Sequence, residues 1–280
     1  MNTVKLKQLL ESFLMEDIGE GDITSNAIFP QTMQGKGILL AKEDGVISGL
    51  DIIRILYRIL APEIRVETFV EDGEQVKNGD VIAGISGPVR AILAGERTAL
   101  NLLQRMSGIS TMTKRCIDIL NDSSISICDT RKTAPGLRML DKYAVVCGGG
   151  KNHRFGLYDG VMIKDNHIAY CGSITKAVEA VRETAGHMVK IEVETETEEE
   201  VIEAVNAGAD IIMFDNRTPD EIKQMVKLVP KHILTEVSGG ITPDNLASYR
   251  GTGVDFISLG FLTHSVKAMD ISLVVEGEKK

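Results

Sequence analysis

With 280 residues, 43% of them apolar, the chain can bury a core without covalent staples, and its net charge of −9 argues against non-specific binding to nucleic acid or membranes. The four cysteines, Cys116, Cys128, Cys147 and Cys171, form no CxxC pair and show no metal spacing. They read as free thiols of a reducing compartment. The first residues, MNTVKLKQLLESFLMED, contain no long apolar run and no small-residue cleavage site, so a cytoplasmic protein without signal peptide or transmembrane span is expected.

In chain order, residues 4–16 predict an amphipathic helix, 19–25 a polar turn, 36–48 short strands and 51–60 a helix. Residues 66–93 are short apolar runs broken by Asp72-Gly73, Asn78-Gly79 and Gly87-Pro88, which are hairpin turn signals. The pattern is similar to the flattened β-sandwich of biotinyl and lipoyl domains. The tip, SGPVRA, lacks a lysine to modify, so the reading is structural. Residues 92–106 predict a helix. Arg97, Asn101 and Arg105 fall on one stripe, with Ala99, Leu100, Leu102, Leu103 and Met106 opposite. Glu96 is the only acid available there to two arginines, which makes Arg97 a candidate functional residue.

From residue 125 the grammar changes. Short β-branched runs at 125–129, 160–164, 189–195, 210–214, 232–237 and 254–259 alternate with helical stretches such as 173–185 and 197–207. Alternation of this kind predicts an α/β fold with a parallel sheet, and the spacing fits a β/α barrel with six clear strands rather than eight. An open doubly wound sheet is the alternative, weakened because no GxGxxG follows the first strand.

Charged and small residues follow each of these runs, where a β/α barrel keeps its chemistry. They are Thr130, Arg131 and Lys132; Lys164, Asp165, Asn166 and His167; Glu192 and Glu194; Asp215 and Asn216; Ser238, Gly239 and Gly240; and Ser258, Leu259 and Gly260. Between Asp129 and His167 stand seven Lys or Arg against four Asp, a basic island in an acidic chain that predicts an anion site. Arg131 can grip a carboxylate or phosphate with two hydrogen bonds, and Lys132 and Lys164 add point charges. Glu194 and Asp215 could hold a divalent cation or stabilise a developing positive charge. The Ser238 and Ser258 loops could cradle a phosphate on backbone N–H groups. Glu192 and Glu194 share one strand face, so one of them is open to a structural role as a lysine's partner. The run Gly148–Gly150 before Lys151-Asn152-His153-Arg154 is compatible with a plain helix stop but reads rather as a mobile loop that delivers His153 and Arg154 over a ligand. His167 reads equally as a supporting or a helix-capping residue.

Together the blocks EDIGEGDITS (16–25), GERTALNLLQRMSGIST (95–111), DTRKTAPGLRMLDKYAV (129–145), GGGKNHRFGLYDGVMIKDNH (148–167), IEVET (191–195), FDN (214–216), EVSGGIT (236–242) and ISLG (257–260) resemble the quinolinate phosphoribosyltransferases. The resemblance implies an N-terminal α/β sandwich domain over residues 1–110, joined by the tail 266–280, and an incomplete β/α barrel over 111–265. It implies transfer of phosphoribosyl from phosphoribosyl pyrophosphate to quinolinate, with loss of CO2 and a requirement for Mg2+. Arg131, Lys132, His153, Arg154 and Lys164 would surround the substrates, Glu194 and Asp215 would face ribose and metal, and the Ser238 and Ser258 loops would take the 5′-phosphate. Arg97 would reach in from the neighbouring subunit of a homodimer with shared active sites, a homohexamer being the larger alternative. Two rivals are a ModD-like phosphoribosyltransferase for a different base and a non-catalytic phosphate-binding barrel.

Overall fold

The computed structural model describes residues 1–275. They divide into two compact units, one of residues 1–114, 134–149 and 265 onward, the other of 115–133 and 150–264. The segment 134–149 thus clusters with the first unit, although the sequence reading had placed it with the barrel. The last residues of the expected returning tail, 276–280, lie outside the described residues.

The first unit is built on a four-stranded antiparallel sheet. Its chain order is α1 (Thr3–Ile18), α2 (Ile23–Ile28), β1 (Gln34–Ala41), β2 (Gly45–Val46), α3 (Leu50–Leu60), β3 (Arg65–Thr68), β4 (Gln75–Val76), β5 (Val81–Pro88) and α4 (Val89–Leu120). Later in the chain it takes in α5 (Arg138–Cys147) and β12 (Ile271–Val275). The sheet runs β12-β1-β5-β3, so the chain's last strand returns to pair with its first. Gly87-Pro88, expected as a hairpin turn, instead ends β5, and α4 follows at once. That helix is longer than the predicted 92–106 and starts three residues earlier. Its apolar stripe behaves as the 3.6-residue period requires: Ala99, Leu100, Leu102, Leu103 and Met106 are buried while Arg97 and Asn101 are exposed. Arg105, on the polar stripe, turns to Asp141 of α5 in a two-bonded pair at 2.9 and 2.8 Å. The helices α4 and α5 touch so closely near the end of α5 that a Cβ on Gly148 would lie 2.4 Å from the Ser110 carbonyl oxygen.

The second unit carries the parallel sheet. Its strands are β6 (Ser126–Cys128), β7 (Val161–Ile163), β8 (Ile191–Thr195), β9 (Ile211–Asp215), β10 (Leu234–Ser238) and β11 (Phe256–Ser258), and the sheet order is β6-β11-β10-β9-β8-β7. Neighbours in sequence are neighbours in space from β7 to β11, and the first strand pairs with the last. A doubly wound sheet reverses its strand order at a switch point. Here the order instead runs round and closes everywhere except between β6 and β7, which makes an incomplete β/α barrel. The helices are α6 (Asp165–Cys171), α7 (Ile174–Thr184), α8 (Glu198–Ala207), α9 (Pro219–Met225) and α10 (Phe261–His264). Local sequence sets their starts. Thr197 and Glu200 form a reciprocal capping box on α8, as do Thr218 and Glu221 on α9, where Pro219 takes the first helical position.

Period-two alternation divides each strand between two surfaces. Ile127, Val193, Thr195, Ile212, Phe214, Val237 and Ile257 are buried in the core. The other parity carries Thr130, Lys164, Glu192, Glu194, Asp215, Glu236 and Ser238, and so gathers most of the polar strand residues on a single face.

Candidate active site

The strand ends collect the predicted residues, and hydrogen bonds sort them. Lys164 follows β7, and its Nζ donates to Glu194 Oε2 on β8. Of the two glutamates on that strand face, Glu194 is therefore the lysine's partner. One strand on, Asp215 Oδ2 accepts from Asn216 Nδ2 at 2.6 Å. Both carboxylates are only part-buried, Glu194 at 14% side-chain exposure, so each keeps an open side. They present hard oxygen donors, the type Mg2+ prefers, and so fit a metal that shares its shell with phosphate oxygens.

After β6, Thr130 Oγ1 accepts the Lys132 N–H at 3.0 Å, a local turn that carries Arg131 and Lys132. The Lys132 carbonyl accepts from Thr263 Oγ1 at 2.8 Å, which ties this turn to α10. The exposed Lys132 side chain passes Gly260, where an added Cβ would come within 3.1 Å of its Cδ.

Arg154 is held along its side chain. Its Nη1 donates to the Gly160 carbonyl at 2.9 Å, while Nε is buried without a hydrogen-bond partner. Burial, followed by repulsion from the Arg131 guanidinium, pulls Arg154 below the ordinary guanidinium range. Two neighbouring like charges are stabilised when an anion lies between them.

His153 is not on a free loop, which corrects the expectation. Its backbone N–H donates to the fully buried Asp129 at 2.9 Å, and its ring sits against Glu192 at 2.8 Å and Glu236 at 3.7 Å. Lys151 extends the sheet instead, through an isolated bridge to Cys128. The glycine run before this segment had pointed to mobility, but the buried acids that fix it lie on distant strands. His167 caps α6, its Nδ1 accepting the Lys164 N–H at 3.0 Å.

The two small-residue loops part company. Gly239 and Gly240 have φ of 89° and 66°, a left-handed conformation that favours glycine. A Cβ on Gly239 would meet Asn216 Oδ1 at 2.2 Å. With Asn216, Arg217, Thr218 and Asn245 they line a cavity of about 270 Å³, a cradle of the size and polarity a phosphate needs. Ser258 and Leu259 are turned inward. The Ser258 hydroxyl donates to Glu236, and the Leu259 N–H to the Cys128 carbonyl at 2.9 Å. Burial and the nearby Glu192 charge push Glu236 up to about 7. That loop therefore offers Gly260 rather than the serine. Arg217 and Glu236 are residues that sequence reasoning missed. The first follows the FDN block directly, and the second begins the EVSGGIT block.

Arg97 lies exposed on α4 in the first unit. No helix among the described residues is long and apolar enough to cross a membrane.

Comparison with known proteins agrees with this architecture. Residues 22–107 match the family model for the N-terminal domain of quinolinate phosphoribosyl transferase, and 109–274 match its C-terminal domain. A probable nicotinate-nucleotide pyrophosphorylase [carboxylating] of Bacillus subtilis is 55% identical over 98% of this chain and 95% of its own length. A mitochondrial quinolinate phosphoribosyltransferase [decarboxylating] of Nicotiana tabacum is 41% identical over 99% of this chain and 84% of its own. Among solved structures, NadC from Streptococcus pyogenes superposes with a TM-score of 0.94 at 40% identity, covering 98% of both chains. The nicotinate-nucleotide pyrophosphorylase of Francisella tularensis superposes at 0.92 with 35% identity, over 99% of this chain and 98% of that one. With both domains matched and the strand-end residues in place, the chain belongs to the quinolinate phosphoribosyl transferase family.

Proposed function

We propose that this protein transfers the phosphoribosyl group of phosphoribosyl pyrophosphate to quinolinate and decarboxylates the product, giving nicotinate mononucleotide, pyrophosphate and CO2 in de novo NAD biosynthesis. The observation that carries the reading is the Arg131–Arg154 pair, two half-buried guanidiniums that repel one another and suit a dicarboxylate. Lys132 and Lys164 add positive charge at the same strand ends. The glycine cradle at Gly239 and Gly240, with Ser238 before it and Arg217 beside it, suits the 5′-phosphate.

Glycosyl transfer builds positive charge on the ribose carbon as pyrophosphate departs. Glu194 and Asp215 would stabilise that charge, with Glu194 oriented by its hydrogen bond from Lys164. Glu194 and Asp215 are the residues that would hold Mg2+, and the chemistry it would supply is charge neutralisation at the leaving pyrophosphate. Once the ring nitrogen bears ribose it is cationic. The electron pair left when the adjacent carboxylate departs as CO2 is then held beside a positive charge until a solvent proton takes the carboxylate's place on the ring carbon, so transfer precedes decarboxylation. Arg97 supplies a further cation from the partner subunit of a homodimer, in a protein that works in the cytoplasm.

The direct test is release of CO2 from carboxyl-labelled quinolinate with phosphoribosyl pyrophosphate and Mg2+. Release is expected. Turnover of nicotinate, which lacks the departing carboxylate, at a comparable rate would overturn the reading.

A further inference from the structure

Beneath the strand ends the barrel holds a second cluster: His153, Glu192 of β8 and Glu236 of β10. One ligand-type atom from each lies within 4.8 Å of the other two. With Arg154 and several strand residues they line a cavity of about 230 Å³. An imidazole and two carboxylates would suit a transition metal. The hydrogen bonds round the ring decide otherwise. The Arg154 backbone N–H donates to His153 Nδ1 at 2.8 Å, and a backbone amide always carries its hydrogen, so Nδ1 presents a lone pair. The ring proton is then on Nε2, which donates to Glu192 Oε2 at 2.8 Å. A metal on Nε2 would need that proton on Nδ1, facing the Arg154 N–H.

The fixed tautomer creates a continuous strut. Asp129 takes the His153 backbone N–H, Glu192 takes the ring, and the ring takes the Arg154 backbone N–H. Asp129, just past β6, and Glu192 of β8 thereby set the main chain from which Arg154 extends. Glu192 is 3% exposed, and its second oxygen, Oε1, is buried with no hydrogen-bond partner. Burying a carboxylate this incompletely satisfied costs stability, so the fold alone does not account for its presence. Glu236 backs the ring at a longer distance and is already engaged by Ser258.

We propose that Glu192 is a positioning residue for quinolinate recognition, acting through the His153 ring to fix the main chain that carries Arg154. The proposal rests on Arg154 binding a quinolinate carboxylate. A misplacement of about 1 Å in such a contact costs up to about 100-fold.

The test compares Glu192→Leu with Glu192→Gln in the full-length protein with both substrates and Mg2+. Leucine fills the space but cannot accept the Nε2 hydrogen, whereas glutamine accepts it through its carbonyl oxygen. Glu192→Leu should raise the KM for quinolinate by about 10- to 100-fold and leave the KM for phosphoribosyl pyrophosphate unchanged. Glu192→Gln should recover most of the loss. Equal rises in both KM values, or a glutamine variant as impaired as the leucine one, would overturn the proposal. Nitrogen-15 NMR of the histidine rings in the unsubstituted protein gives an answer free of any folding defect. His153 should show an unprotonated Nδ1, and a protonated Nδ1 would also overturn the proposal. Failure of the unsubstituted enzyme to turn over quinolinate would instead sink the functional reading and leave the tautomer measurement standing.

Discussion

Arginines in the two units are treated in opposite ways. In the first unit Arg105 meets Asp141 with two hydrogen bonds, and Asp141 has no exposed side-chain surface, so both charges are answered where they stand. In the second unit Arg154 lies against another cation with its Nε unanswered. Both arginines are half-buried. A charge matched within its own unit stabilises the fold. A charge set beside another cation and only partly answered suits a ligand, since holding it there has no structural return.

The sharpest way to break this contrast is to remove each arginine and ask what is lost. Arg105→Ala strands the buried Asp141 carboxylate, and about 3–5 kcal/mol of unfolding free energy should go with it in a denaturant titration. A loss below about 1 kcal/mol, within the range of an exposed pair, would show that Arg105 is not structural. Arg154→Ala should do the reverse. Turnover of quinolinate should fall by about 100- to 1,000-fold, equivalent to roughly 3–4 kcal/mol of barrier, while the denaturation midpoint holds or rises. Arg97→Ala should likewise abolish turnover without unfolding the protein. Mixing it with an Arg131→Ala variant should restore some activity if subunits share sites, and verified heterodimers without any recovery would rule that sharing out.

A smaller effect separates the units by pH. Glu236 is raised to about 7 in the folded state. The folded protein therefore holds that proton more tightly than the unfolded chain does, and the associated stability is fully present below about pH 4.5 and lost as pH rises through about 7. Glu236→Gln, which cannot ionise, should flatten the stability profile across that window relative to the unsubstituted protein. Identical profiles would show that Glu236 does not titrate there. Least of all should come from the exposed Lys223–Asp220 pair at 3.0 Å, where Lys223→Ala is expected to change stability by no more than about 0.5 kcal/mol.

Much of the second unit was legible in the sequence because strand parity and strand ends are local properties. The alternation that put Glu192 and Glu194 on one face needed no knowledge of neighbours, and neither did the placing of Lys164, Asp215 and Ser238 where strands stop. Pairings were not legible. Either glutamate could have been the lysine's partner, and only the lateral order β7-β8 with its register brought Glu194 to Lys164 and left Glu192 for His153. The Ser258 loop read like the Ser238 loop, but Ser258 lies beside Glu236 on the neighbouring strand and gives its hydroxyl to that carboxylate.

By itself the sequence determined the two-part organisation of the elements, the strand–helix alternation, the exposed polar stripe of α4 and the inventory of charged residues at strand ends. These follow from periodicity and from motif blocks that read along the chain. Tertiary structure decided which charges cancel and which remain open. Burial and hydrogen bonding depend on what stands opposite, which local pattern does not show: Glu194 lies 30 residues from Lys164 and Glu192 39 from His153, and the barrel's first strand pairs with its last.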